Sequence, residues 1–272
     1  MSRLEETLRA ARDRGRKLLV PFFTGEYPDR GTFRLLLLEA QAAGADALEV
    51  GIPFSDPAAD GPVIQQASAA ALAGGASVRR LLEDLAWARS RGLSVPVLFM
   101  TYFNPVLAFG PEAFAREARA AGADGVLVVD LPPEESAELV PAARAQGLDT
   151  VFLVAPTTPE ARIPKIAAVC RGFVYCVAVT GVTGEKRPAA EAVAGLVERV
   201  RRHTDLPALV GFGVSGPDAA RALAAAADGV IVGSALLETL GGERREPAAH
   251  AAGLFLRDMR AALDGGPAPR PG

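Results

Sequence analysis

The chain has 272 residues, 50% of them hydrophobic and 22% charged, with a mean hydropathy of +0.21. That composition excludes a mainly disordered chain and supplies apolar surface for one large core or two small ones. The net charge is −3 with scattered basic residues, and no apolar run reaches the ~18 residues of a membrane span, so nucleic acid and membrane are excluded as partners.

The start, MSRLEETLRAARDRGRK, is charged and amphipathic without the apolar stretch of a secretion signal; it predicts an extra helix over the first 16 residues and a cytoplasmic protein. From there one phrase recurs: a small residue or glycine, an aspartate, then an apolar run. It reads AGADALEVG at 43–51, AGADGVLVVD at 121–130, AQGLDTVFLV at 145–154 and AAADGVIVG at 225–233. Glycine suits a helix C-cap and the apolar run a strand covered on both faces, so each phrase is a helix-to-strand junction of a parallel sheet. Further buried-strand runs at 17–25, 95–102, 172–179 and 207–213 make eight. Helical patterns lie between and after them at about 30–43, 62–91, 111–120, 133–146, 158–170, 189–202, 216–226 and 234–263. This alternation predicts an α/β protein, a single (β/α)8 barrel, with an open doubly wound sheet as the alternative. The barrel domain is expected over 1–264, with GGPAPRPG at 265–272 as a flexible tail.

In such a barrel chemistry belongs at the C-terminal strand ends. Histidine chemistry is nearly excluded, since only His203 and His250 exist, and Cys170 and Cys176 read as packing residues rather than a metal site or disulfide. Acid-base work therefore falls to carboxylate, lysine or tyrosine. In ADALEVG, alternation turns Glu49 into the barrel, where an ionised carboxylate is costly and a raised pKa or a dedicated partner is expected. The following loop carries Asp56 before Pro57, a turn residue, and Asp60 before Gly61 and Pro62, where it could equally cap a helix. Three glycine-rich junctions, TGVTGEK (180–186), GFGVSGPD (211–218) and VGSA (232–235), follow the last three strands, where such barrels grip phosphate with backbone amides; Ser234 adds a hydroxyl. Gly211, Gly213 and Gly216 also satisfy G-x-G-x-x-G and keep a dinucleotide-binding oxidoreductase as runner-up. YFNPVLAFG at 102–110 reads as a loop exposing Phe103, Val106, Leu107 and Phe109, a surface for a protein partner.

At LEVGIPFSDPAADGPVIQQA the sequence resembles the tryptophan synthase alpha chain family, and the match runs on through YFNP, GVLVVDLPPEE, TGVTG, GFGVS and VGSA. The resemblance implies a TIM barrel that splits indole-3-glycerol phosphate into indole and glyceraldehyde 3-phosphate by retro-aldol cleavage. It implies Glu49 and Asp60 as the catalytic carboxylates, Gly184, Gly213, Gly233 and Ser234 as phosphate binders, and an indole pocket of Phe22, Met100, Tyr102, Leu127, Leu153, Tyr175 and Phe212. Thr183 matches the residue that bonds the loop aspartate when a lid closes; just before it, AVT stands where the family carries a more polar segment. On this reading Glu49 shuttles a proton between the side-chain hydroxyl and the ring carbon, while Asp60, on a wetter loop, stays ionised and accepts the indole N–H. The scheme needs no metal and no organic cofactor. The implied partner is the family's beta chain, which carries pyridoxal phosphate, in a heterotetramer of two alpha and two beta chains docked through the segments 102–110 and 53–60. A third reading, a barrel that only activates its partner, stays open beside the lyase and the oxidoreductase.

Overall fold

A computed structural model of the chain describes residues 2–177, 190–241 and 247–266. Eight parallel strands pair in sequence order and close on themselves, each with its neighbour and β1 with β8, which is the (β/α)8 barrel. They are β1 (Leu18–Thr24), β2 (Leu48–Gly51), β3 (Val97–Thr101), β4 (Gly125–Val128), β5 (Asp149–Val154), β6 (Val174–Val177), β7 (Ala208–Gly211) and β8 (Gly229–Val232). Every strand is almost wholly buried, because its outward side chains meet the helices and its inward ones fill the barrel.

The described helices are α1 (Arg3–Asp13), α2 (Arg30–Ala42), α3 (Pro62–Ala73), α4 (Val78–Ser90), α5 (Phe103–Phe109), α6 (Pro111–Ala121), α7 (Leu139–Ala145), α8 (Ile163–Val169), α9 (Ala190–Arg201), α10 (Pro217–Ala224), α11 (Ser234–Glu238) and α12 (Ala248–Leu263). Three expectations need correction. The helix expected over 62–91 is two helices: Gly74 and Gly75, the latter at φ +86°, end the first, and Ser77 caps the second by accepting the Arg80 N–H. The segment 102–110 is not a loop, since α5 forms there and turns Val106 fully inward. Phe109 packs edge-on against Phe114 at 6.3 Å, which leaves Leu107 as its one large exposed apolar side chain, 52% accessible. The stretch 234–263 holds both α11 and α12, and most of the expected tail, 267–272, lies outside the described residues.

The aspartates of the recurring phrase all sit at the N-terminal end of the barrel. Just before β2, β4 and β8, Asp46, Asp124 and Asp228 accept the backbone N–H groups of Leu19, Val97 and Ala208 on the preceding strands at 2.8, 2.9 and 2.8 Å. Arginines complete each carboxylate: Arg16 and Arg260 on Asp46, Arg3 and Arg89 on Asp124, Arg201 on Asp228. Each aspartate therefore clasps two strands where a parallel pair would leave an amide unpaired. Helix α1 covers the same end, with Ser2 as its N-cap and Leu4 and Leu8 fully buried. Leu4 enters a gap made by two bare glycines; a Cβ on Gly172 would stand 2.9 Å from its Cδ2 and one on Gly125 3.3 Å away.

Replacing Asp124 by alanine leaves the buried Val97 amide without its acceptor and removes the carboxylate that pairs with Arg3 and Arg89. Urea unfolding should show a loss of about 3 kcal/mol; an unchanged midpoint would mean that the clasp does not hold the barrel.

Candidate active site

At the opposite end a cavity of about 330 Å³ opens among the C-terminal strand ends. Phe22 of β1, Glu49 of β2, Met100 of β3, Leu127 of β4, Leu153 of β5, Tyr175 of β6 and, from the loops that follow, Asp60, Phe212, Gly213, Gly233 and Ser234 all line it. Eleven residues singled out by sequence thus share one hollow. Tyr102 is not part of its wall: it stands behind Asp60. Gly184 and Thr183 lie outside the described residues. The cavity also contains residues that sequence reasoning missed, among them Ile64, Val129, Ser215, Ile231 and Glu238. Two carried a signal: Ile231 is the inward residue of GVIVG by alternation, and Glu238 is one helical turn beyond Ser234.

Glu49 sits between Phe22 of β1 and Leu98 of β3 in the sheet register and is 1% exposed. Neither carboxylate oxygen has a hydrogen-bond partner among the described residues. Burial, helped by the nearby Asp60 charge, lifts its pKa to about 8, so Glu49 is protonated at neutral pH. Asp60 departs from the expectation of a wet loop residue, being only 5% exposed. Its pKa rises to about 6, driven by burial and held down by the hydrogen bond that the Tyr102 hydroxyl donates to Oδ2 at 3.0 Å. Asp60 is therefore mainly ionised at pH 7, kept so by a donor rather than by water. Nor does its side chain cap a helix: the N-cap of α3 is Gly61, without a side-chain cap bond, and Pro62 opens the first turn.

Two strand glycines make room for the aromatic wall. A Cβ on Gly51 would stand 2.6 Å from the Phe22 ring, and one on Gly211 would overlap the Tyr175 hydroxyl. Gly211 is thus consumed by packing inside β7 of a closed barrel, whereas a dinucleotide fingerprint needs the crevice of an open sheet; the oxidoreductase reading loses its structural context. Phe212 adopts φ +90°, a left-handed conformation that costs a non-glycine residue of order 1–3 kcal/mol. Its ring meets Tyr175 edge-on at 6.4 Å. Phe212 then hands over to Gly213–Ser215, which with Gly233–Ala235 brings amide-rich backbone and two hydroxyls to the cavity, the chemistry of an anion grip.

Cys170 and Cys176 are buried free thiols whose pKa values burial pushes up to about 12. His203 faces Glu160 at 3.2 Å on the outer surface. Among the described residues no group of three His, Cys, Asp or Glu could hold a metal ion, and no helix is long and apolar enough to cross a membrane.

Comparison with known proteins agrees with this geometry. A family model described as tryptophan synthase alpha chain matches residues 8–263. The tryptophan synthase alpha chain of Roseiflexus sp. (strain RS-1) is 46% identical over 262 residues, 96% of this chain and all of the relative. That of Halorhodospira halophila is 50% identical over 241 residues, 89% of this chain and 88% of the relative. Among solved structures, tryptophan synthase subunit alpha from Legionella pneumophila str. Paris superposes with a TM-score of 0.90 at 35% identity, covering 97% of this chain and 99% of its own. A Mycobacterium tuberculosis tryptophan synthase structure gives 0.87 at 37% identity, with 96% and 98% covered. A barrel with two buried carboxylates in its mouth, matched along nearly its whole length, belongs to the tryptophan synthase alpha chain family.

Proposed function

We propose that Glu49 and Asp60 divide the acid-base work of the carbon–carbon lyase reaction of this family, the cleavage of indole-3-glycerol phosphate to indole and glyceraldehyde 3-phosphate in tryptophan biosynthesis. The observation that carries this division is the opposite state of two carboxylates in one cavity, one raised to about 8 without a donor among the described residues and the other held near 6 by one. Protonated Glu49 donates to carbon 3 of the indole ring, which turns the ring into a cationic electron sink. Ionised Asp60 accepts the ring N–H and stabilises that positive charge. The bond from carbon 3 to the side chain then breaks, its electron pair returns to the ring, and the side-chain hydroxyl gives its proton to the Glu49 carboxylate as the aldehyde forms. Glu49 ends as it began, so no net proton is consumed. The apolar wall from Phe22 to Phe212 suits the indole, and Gly213, Gly233 and Ser234 suit the phosphate.

The alpha chain works with a beta chain, and its product is a small apolar molecule that escapes unless passed on. We assign the docking face to α5, where Leu107 is exposed, and to the loop 53–60, within a heterotetramer of two alpha and two beta chains in the cytoplasm.

Glu49→Gln should lower indole release from indole-3-glycerol phosphate by at least about a thousandfold while substrate still binds. Asp60→Asn should cost at least about a hundredfold, with a melting temperature little changed because the side chain caps no helix and the asparagine amide oxygen still accepts the Tyr102 hydroxyl. Near-normal turnover of either variant removes its assignment. The kcat/KM profile should be bell-shaped: it falls below about pH 6 as Asp60 takes up its proton, and falls above about pH 8 as Glu49 loses its own. A rate still rising through pH 9 contradicts the role of protonated Glu49. Mixing with a family beta chain should give a single larger species in size-exclusion chromatography, and Leu107→Glu should restore two separate peaks.

A further inference from the structure

Tyr102 differs from every other aromatic residue of the site in what it faces. Its phenol donates to Asp60 Oδ2 at 3.0 Å and accepts the Ala59 N–H at 3.0 Å, while its ring lies 5.3 Å from Phe54 at 33°. All three contacts fall on one segment, 52–61, between β2 and α3, yet Tyr102 itself follows β3. The strands are already in register there, since the Ile52 N–H donates to the Met100 carbonyl at 2.8 Å. Inside the segment the backbone is held by short turn bonds, such as Asp60 N–H to the Pro57 carbonyl at 3.0 Å, and by the Gln65 amide, which donates to the Asp60 carbonyl at 2.8 Å. Among the described residues, the side chain that ties this loop to β3 is that of Tyr102, 5% exposed.

We propose that Tyr102 is the positioning residue of Asp60: its hydroxyl occupies Oδ2 and turns Oδ1 toward the cavity to take the indole N–H. This rests on the reading of Asp60 as the ring N–H acceptor. The contacts separate this role from loop anchoring. Ring stacking on Phe54 and acceptance from Ala59 would hold the segment without any donation to Asp60; the third bond adds only orientation and charge. Of the two buried carboxylates, the one with a donor is the one that must be an anion. Burial and the Asp60 charge push the phenol's own ionisation upward, so Tyr102 remains a donor throughout the working pH range. The cavity wall agrees, because Asp60 reaches it and Tyr102 does not.

The test is Tyr102→Phe, which keeps the ring and its stack and removes the hydroxyl alone. Indole formation should show the acid limb of kcat/KM moved upward by about one pH unit, since a carboxylate without its donor holds its proton more tightly. The substrate phosphate titrates identically in both enzymes and cancels. At the optimum kcat should fall about tenfold, with KM altered by less than about twofold. In an Asp60→Asn background the same substitution should cost less than about twofold. An unmoved limb with wild-type kcat, or equal losses in both backgrounds, overturns the proposal and leaves Tyr102 a loop anchor. Full activity of Asp60→Asn is a different result, which defeats the reading of Asp60 itself. If Tyr102→Phe does not fold, a fluorinated tyrosine at position 102 decides: the stronger donor should move the limb downward, and a limb that stays in place overturns the proposal.

Discussion

Two carboxylates within one water-poor cavity cannot both be left as ordinary surface acids. Each anion raises the cost of the other, and burial raises both. The structure resolves the conflict asymmetrically. Glu49 lies deep on β2 with no donor among the described residues and is neutral, while Asp60, on the loop beyond, receives a phenolic hydrogen bond and is charged. One proton held between two sites of unlike environment is the resource that a proton-shuttling lyase needs. The closed barrel and its sealed floor serve this difference, because water admitted beside Glu49 would return it to an ordinary carboxylate.

Aspartates at the other end of the same strands show what a carboxylate does when nothing is left incomplete. Asp46, Asp124 and Asp228 each receive a backbone amide and at least one guanidinium. Surrounded by donors, they bind strand to strand. At the cavity end no arginine or lysine lines the wall among the described residues. Asp46, Asp124 and Asp228 thus serve stability at one end of the sheet, while Glu49 and Asp60 line the cavity at the other.

Glycine acts here through the volume it vacates as well as through its freedom to turn. Gly51 and Gly211 lie inside strands and clear space for Phe22 and Tyr175, and Gly125 and Gly172 admit Leu4 into the floor. The pocket's shape is therefore written partly in residues that do not touch a ligand. Phe212 shows the converse: a bulky residue held at positive φ so that its ring and the amides after it reach the same hollow.

Repetition and alternation in the sequence were sufficient for the eight strands, their parallel order, the inward aim of Glu49 and the meeting of the glycine-rich junctions after β7 and β8, because the period of side-chain direction along a strand is local and follows from the backbone itself. The break at Gly74 and Gly75 was legible in principle and was missed, since a glycine pair inside a helical pattern marks an end as readily as a tolerated interruption. That α5 forms was settled by tertiary contact, through Val106 finding the core and Phe109 finding Phe114. The same holds for the dryness of Asp60 and for the place of Tyr102, behind that carboxylate rather than in the wall. Residues 60 and 102 are far apart along the chain and meet only because β2 and β3 are neighbours, so the bond that separates the two acids existed in no local pattern.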